Sequence, residues 1–368
     1  MKLDAVELRH VAMPLVAPFR TSFGTQHERE MLLVRVRTDE AEGWGECAAL
    51  PDPVYSAEYL AGASHVIEHV LLPRLFAAGE VSAHRSAHVL RAVQGHRMAK
   101  SALEMALLDA ELRAAGRSFA DELGAVGDRV PCGVSVGIMG SVGELLDTVE
   151  RYLDAGYVRI KLKIEPGWDV APVAAVRDRF GDIPLQVDAN AAYRPADARH
   201  LARLDAFDLL LIEQPLPEEQ IRAHADLARR LRTPICLDES IVSAQSCVDA
   251  IMLGATSVVN VKPGRVGGYL EARRIHDVCA AHGVPVWCGG MLETGLGRAA
   301  NVALAAGPNF TLPGDISASS RFYERDIVTR PLVMRDGHLA VPTGPGLGVT
   351  VDHDALADVT VATREIRP

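Results

Sequence analysis

From about residue 130 onward, short apolar runs alternate with longer amphipathic stretches at a period near 25 residues. The runs are VRIKLKI (158–164), PLQVDAN (184–190), LLLIEQP (209–215), TPICLDE (233–239) and SVVNVKP (257–263). Their length and β-branched content suit buried strands. Helical stretches fall at 168–180, 195–204, 218–232, 243–253 and 268–282. A strand-plus-helix unit repeated at this spacing predicts parallel strands with crossover helices. CGVSVG (132–137) through VPVWCGG (284–290) gives seven units, and NFTLPGD (309–315) supplies an eighth. Eight units in about 200 residues match the lower size range of a (β/α)8 barrel.

The preceding residues have another rhythm. Alternation predicts strands at 3–13, 31–37 and 43–49, beginning antiparallel, then helices around 56–72 and 97–114. In the second helix Leu103, Ala106, Leu107 and Ala110 keep an i, i+3, i+4, i+7 stripe. The fold class is therefore α/β, a (β/α)8-type barrel preceded by an α+β capping domain. The expected division is a cap over 1–125, the barrel over 126–335, and a segment over 336–368 that packs back on the cap. Two loops of the cap, PFRTSFGT (18–25) and LPDPVYS (50–56), read as ordinary turns or as lids over a site in the barrel.

Composition narrows the partners. A net charge of −10 argues against nucleic acid or an anionic membrane. It leaves room for an anionic substrate, because a bound divalent cation reverses the local field. No signal-peptide pattern or membrane-length apolar run is present, and six scattered cysteines lack metal spacing. These features fit a cytoplasmic protein with reduced thiols.

Chemistry enters with lysine. The chain has five lysines against thirty-three arginines. Arginine serves surface and ion-pair roles but does not give up its proton in a protein, whereas a lysine in the right setting does. Lys163, Asp188, Glu213, Asp238 and Lys262 follow one another at intervals of 25, 25, 25 and 24 residues, each ending one of the apolar runs. In a barrel such strand ends gather at one mouth. Lys161 and Lys163, two apart on a strand, project to the same side.

Three converging carboxylates with no histidine or cysteine among them suit a hard cation, Mg²⁺ or Mn²⁺, with Co²⁺ also accommodated. The flanking lysines are then candidate bases, tuned by the metal and, for Lys163, by Lys161. A metal between two opposed amines fits removal of a proton alpha to a carboxylate through an enediolate. Singly, each acid reads as a cap or an ion-pair partner, and KxK as a solvated pair; five positions in register do not. Glu239 faces the other way, as support or packing, and His276 and His282 read as surface residues. A metal-dependent barrel hydrolase would ordinarily show histidine ligands, and a non-catalytic barrel would have no need of the ladder.

These strings resemble the enolase superfamily, in its muconate-lactonising subgroup. The resemblance is closest to the N-acylamino acid racemase/o-succinylbenzoate synthase family. It runs through MPLVAPFRTSFGT, GWGE (43–46), GHRMAKSALEMALLDAELR (95–113), VNVKPGRVGGYLEAR, CGGMLETGLGRAAN and the LPGD turn. It implies Asp188, Glu213 and Asp238 as metal ligands, Lys163 and Lys262 as the acid/base pair, and Lys161 as their electrostatic helper. It also implies that Ser135, Asn190, Gly290 and Met291 line the substrate, with Phe19 and Phe23 in a mobile capping loop, and that no organic cofactor is used. The expected partner is a small carboxylate substrate, and the expected assembly a homo-oligomer.

Departures from relatives refine the choice. Dipeptide epimerases present Asp-x-Asp at the eighth strand end to hold an amino group, where this chain has Asp315-Ile316-Ser317. An N-acylated substrate fits better. Muconate-type cycloisomerisation uses a similar ladder, but the local strings point elsewhere. N-acylamino acid racemisation and formation of o-succinylbenzoate, as in menaquinone biosynthesis, both stay open on the same residues.

Overall fold

A computed structural model describes residues 1–368. Strands β1 (Leu3–Thr21) and β2 (Gly24–Thr38) form one long antiparallel hairpin, and β3 (Glu42–Cys47) extends it. Both hairpin strands outrun the expected ones. Their pairing resumes beyond an irregularity between Pro14 and Phe19, which carries Phe19–Thr21 past the sheet as a projecting tip. The helix expected over 56–72 starts only at Leu60. It consists of α1 (Leu60–Val66), a π-helical turn at Ile67–Leu71 and α2 (Leu72–Ala77). After α3 (Ala83–Val89), helix α4 (Arg97–Ala115) buries most of its surface, and α5 (Phe119–Leu123) follows.

Sequence explains why α4 sits so close to β3. A Cβ on Gly43 or Gly45 would run into the carbonyl of Ala106 or Ala102, so the GWG string and the alanine stripe let two backbones touch. Glu58 closes the helix start, accepting from the Arg97 and Met98 N–H groups at 2.6 and 2.9 Å.

Past β4 (Arg129–Pro131), seven parallel strands form the barrel wall in chain order. They are β5 (Gly133–Val136), β6 (Arg159–Lys163), β7 (Leu185–Asp188), β8 (Ile212–Glu213), β9 (Ile235–Leu237), β10 (Val258–Val261) and β11 (Val286–Cys288). The crossover helices are α6 (Val142–Asp154), α7 (Val170–Phe180), α8 (Ala198–Leu201), α9 (Ile221–Ala228), α10 (Ala244–Met252), α11 (Pro263–Val266), α12 (Tyr269–Ala281) and α13 (Gly295–Ala305). The eighth segment, 309–315, closes the gap between β11 and β5 without a continuous ladder. Pro313 has no N–H to give, and the closure rests on isolated bonds. These are Val286 N to Asn309 O (3.2 Å), Gly133 N to Gly314 O (2.8 Å) and Asp315 N to Cys288 O (2.9 Å).

Strand β12 (His338–Ala340) pairs with β4; after α14 (His353–Asp358), β13 (Thr360–Ile366) pairs with β1. One hydrophobic cluster includes Val6, Leu33, Leu107, Ile160 and Val261, so cap and barrel share a core. Two cap carboxylates help to join them. Glu46 accepts from Thr294 N and Gly297 N, both at 3.1 Å, at the start of α13, and Glu104 accepts from Leu270 N (3.1 Å) at the start of α12. Burial pushes both carboxyls up to about 7, and for Glu46 the neighbouring Glu293 adds to it. His276, expected at the surface, is buried instead. Its ring stacks on Phe310 at 5.4 Å and accepts the Asn309 N–H at 3.0 Å, which steadies the eighth segment. All six cysteines are buried and free, and no helix is long and apolar enough to cross a membrane.

Candidate active site

The strand register brings the ladder together. Lys163 pairs with Asp188 across β6 and β7, and Asp188 with Glu213 across β7 and β8. Glu213 pairs with Cys236, so Asp238, two residues on, continues the same side. Lys262 follows the end of β10, on the far flank of the acids. With Lys161, two residues before Lys163, these six side chains are all buried, from Glu213 and Asp238 at 0% to Lys163 at 8% exposure. Charges so withdrawn from water persist only when paired.

The pairing follows a rule. One oxygen of each acid is fixed by the scaffold and the other is held by a lysine. Asp188 Oδ1 accepts the Asn190 N–H at 3.0 Å, while Oδ2 meets Lys163 at 2.6 Å and Lys161 at 3.1 Å. Glu213 Oε1 accepts from Asn260 Nδ2 at 2.6 Å, and Oε2 takes Lys161 at 2.8 Å. Asp238 Oδ1 is held by Arg265 and accepts the Tyr55 hydroxyl at 3.1 Å, while Oδ2 takes Lys262 at 2.6 Å.

Titration follows from these contacts. Burial works to lower the Lys161 pKa, but Asp315, Glu213 and Asp188 outweigh it and raise it. For Lys262 burial is outweighed by Tyr55, Glu213 and Glu239, so this pKa too is raised. Burial works to raise Asp188, but Lys163 and Lys161 hold it below the usual carboxylate range; Glu213 is raised, by burial and then by Asp188. With the acids paired to lysines, this arrangement favours Lys262 as an ammonium.

Whether the residues suit a divalent cation can be judged from the donors. As the side chains lie, no group of three acidic, histidine or cysteine residues is drawn together into a cage. One oxygen of each ladder acid instead faces ammonium groups: Asp188 those of Lys163 and Lys161, Glu213 that of Lys161, and Asp238 that of Lys262. They stand where positive charge is wanted, on oxygens the scaffold leaves free. Glu239 Oε2 adds a buried oxygen with no partner. Three hard oxygen donors on adjacent strand ends, pre-oriented by Asn190, Asn260 and Arg265, fit an octahedral cation.

The chain turns sharply at the strand ends. Asn190, Ala191, Gln214 and Leu292 have positive φ (41°, 61°, 36° and 58°), conformations that side-chain-bearing residues adopt at a cost. Their side chains show what holds them. Gln214 Nε2 donates to Leu216 O and Ser240 Oγ, and its Oε1 accepts the Asp238 N–H at 3.0 Å, tying one strand end to the next. Asn190 Oδ1 accepts from Lys163 at 2.6 Å, and its Nδ2 donates to Glu239 at 3.0 Å. Glu239 thus supports the ladder through Asn190.

The remaining sequence candidates lie around this centre. Ser135 is the register neighbour of Lys161, and its buried hydroxyl has no partner. A Cβ on Gly290 would press on the Asp315 carbonyl at 2.6 Å. Met291 is buried, and its carbonyl accepts from Arg29 of the cap at 3.1 Å. Phe19 is buried within the hairpin, and Phe23 at its tip approaches the Tyr55 ring at 6.3 Å. The two cap loops both reach the barrel mouth, as the lid reading expects. Ile138 N donates to Arg20 O at 3.0 Å, Arg20 pairs with Glu165 at 3.1 Å, and Tyr55 enters the mouth to meet Lys262. A cavity of about 530 Å³ lies between the hairpin and the second loop, lined by cap residues alone, among them Phe23, His27, Glu28, Glu30, Asp52 and Val54.

Besides Asn260 and Gln214, three more residues went unread in the sequence. Tyr55 accepts from Lys262 at 3.1 Å, and its ring lies 4.7 Å from that ammonium. Arg265 donates to Asn260 O and Ile241 O as well as gripping Asp238. Arg159 binds Asp315 at 2.7 Å. The alternation that turns Lys161 and Lys163 inward also turns Arg159 inward, so that signal was present.

The chain is similar to known proteins along nearly its whole length. Residues 4–124 match the mandelate racemase/muconate lactonizing enzyme N-terminal domain, and 144–355 the enolase C-terminal domain-like family. An N-succinylamino acid racemase of an Amycolatopsis species is 68% identical over 363 residues, covering 98% of each chain. An o-succinylbenzoate synthase of Geobacillus kaustophilus is 46% identical, over 96% of this chain and 94% of that one. A crystal structure of an enolase superfamily member from Listeria innocua superposes with a TM-score of 0.96 at 41% identity, covering 100% of this chain and 99% of that one.

Proposed function

This chain belongs to the enolase superfamily, whose members use a divalent metal ion, and from that membership we propose that it racemises N-acylated, chiefly N-succinylated, amino acids by removing the proton alpha to the carboxylate. The observation that carries the proposal is the placement of Lys163 and Lys262 on the two strands flanking the acid-bearing ones, each 2.6 Å from an acid. Racemisation needs a base for each face of the α-carbon, and a single amine could serve only one.

Asp188, Glu213 and Asp238 would hold the cation, and the oxygen donors favour Mg²⁺ or Mn²⁺. When bound, such an ion supplies positive charge to the substrate carboxylate and lowers the cost of the enediolate that forms as the proton leaves. In our reading Lys163 accepts the α-proton of one enantiomer and Lys262, as an ammonium, returns a proton to the opposite face. For the other enantiomer the two exchange roles. Asn190 Oδ1 and the Tyr55 hydroxyl steady these amines, and Phe23 and Tyr55 on the lids exclude water from the carbanionic centre. Both oxygens of Asp315 are taken by Arg159 and Lys161, which leaves no free carboxylate there for a substrate ammonium. That favours an acylated nitrogen over a dipeptide. The six buried thiols support a reducing compartment, and we expect a homo-oligomer.

Synthase activity is the second reading, favoured by the relatives at 46% identity that bear that name. Lys163 would abstract the proton and then protonate the departing hydroxyl, with Lys262 remaining as a cation near the enediolate.

Proton NMR in D₂O tests the first reading, with each enantiomer of an N-succinyl and an N-acetyl amino acid, Mn²⁺ or Mg²⁺, and an EDTA control. Metal-dependent loss of the α-proton from both enantiomers is expected. Loss from neither, with metal bound, would move the assignment to the dehydration, followed by ultraviolet loss of the cyclohexadiene.

A further inference from the structure

The Lys161 ammonium is shared by three carboxylates: Asp315 at 2.6 Å, Glu213 at 2.8 Å and Asp188 at 3.1 Å. Two of these belong to the set read above as metal ligands, and the third does not. A divalent cation arriving at Asp188 and Glu213 would therefore meet an ammonium on one oxygen of each, the other being taken by a scaffold N–H. The two positive charges repel at this range and compete for the lone pairs of those oxygens.

Lys161 has little room to leave. It is 2% exposed, and its ammonium lies 4.8 Å from the Trp287 ring centroid. Its remaining anionic partner is Asp315, and Asp315 is firmly built in. Arg159, fully buried, holds its other oxygen at 2.7 Å, donates to Pro313 O at 2.7 Å and stacks over the same Trp287 at 5.3 Å. Room for that guanidinium comes from Gly133, where any Cβ would collide with it. The other two lysines differ in kind: away from the acids, Lys163 keeps the Asn190 amide oxygen and Lys262 the Tyr55 hydroxyl, both neutral.

We propose that Asp315 is the positioning residue that takes over the Lys161 ammonium when a divalent cation claims Asp188 and Glu213, and that it thereby sets the affinity of the site for the cation. The proposal rests on the metal-dependent reading above. Without Asp315 the ammonium stays on the ligands and competes with the metal.

A double-mutant cycle tests this by calorimetric titration of the purified full-length apo chain with Mn²⁺ alone. In the wild-type background Asp315→Asn is expected to weaken binding by tenfold or more. In a Lys161→Met background, with no ammonium left to hold, the same replacement is expected to change affinity less than threefold. Equal losses in both backgrounds would make Asp315 only a distant negative charge and would overturn the proposal, as would no loss in either. Should Asp315→Asn fail to fold, Asp315→Glu enters the same cycle. It keeps the charge but misplaces it, and its smaller loss should likewise vanish beside Lys161→Met. A wild-type chain that binds no Mn²⁺ would overturn the metal-dependent reading itself, a separate result from an additive cycle.

Discussion

Lys163 and Lys262 bracket the three acidic strand ends symmetrically, each 2.6 Å from the outer acid on its own side, Asp188 for one and Asp238 for the other. Removing either amine should therefore stop a reaction that needs both. Lys163→Ala and Lys262→Ala are each expected to slow racemisation of both enantiomers by about 10²–10⁴-fold. In D₂O, Lys262→Arg should keep some exchange from one enantiomer only. Near wild-type racemisation by either alanine variant would rule out the two-base assignment.

Chelation should abolish turnover, and Mn²⁺ or Mg²⁺ should restore it. Because the cation binds only the assembled strand ends, it should also stabilise the fold, by about 2.7 kcal/mol at a hundredfold excess over its Kd. Calorimetric melting with and without EDTA reads this directly, and an unchanged Tm would contradict it.

Tyr55→Phe removes a hydroxyl that links Lys262 to Asp238 while leaving the ring. Turnover is expected to fall about tenfold, the worth of one buried hydrogen bond near a charge, with the Tm little changed. Exchange of the enantiomer deprotonated by Lys262 should suffer most. Equal losses for both enantiomers would argue that the hydroxyl serves the site generally.

The cap–barrel joint should respond to pH. Glu46 and Glu104 are raised by burial from 4.5 to about 7, so each holds its proton more tightly in the folded chain. The stability they contribute is complete below about pH 4.5 and is lost as pH rises towards 7. The size is on the order of 3 kcal/mol per group. Glu104→Gln is expected to flatten the decline in urea-denaturation stability across that interval. A variant with the same slope as wild type would show that Glu104 does not titrate there.

Much of this site was legible because a parallel barrel converts a fixed sequence interval into a fixed position at the mouth. Lys163, Asp188, Glu213, Asp238 and Lys262 needed only their spacing. Residues that matter through the cap carry no such interval. Tyr55 lies in a loop whose path depends on β2, β3 and α1, and Arg265 lies on the four-residue helix α11. The eighth strand read as regular from its composition, yet Pro313 cannot complete a ladder. His276 carries a helical period, and only the approach of Phe310 decides that its ring is covered.

Strand β13 completes the cap sheet by pairing with β1, Val6 opposite Ile366. During synthesis the ladder residues therefore all emerge before the hairpin that roofs them has its outer neighbour. The sheet bearing the lids is finished by one of the most sequence-distant pairings in the chain, the kind that forms slowly. The last strand thus works as a latch on the sheet that carries the lids.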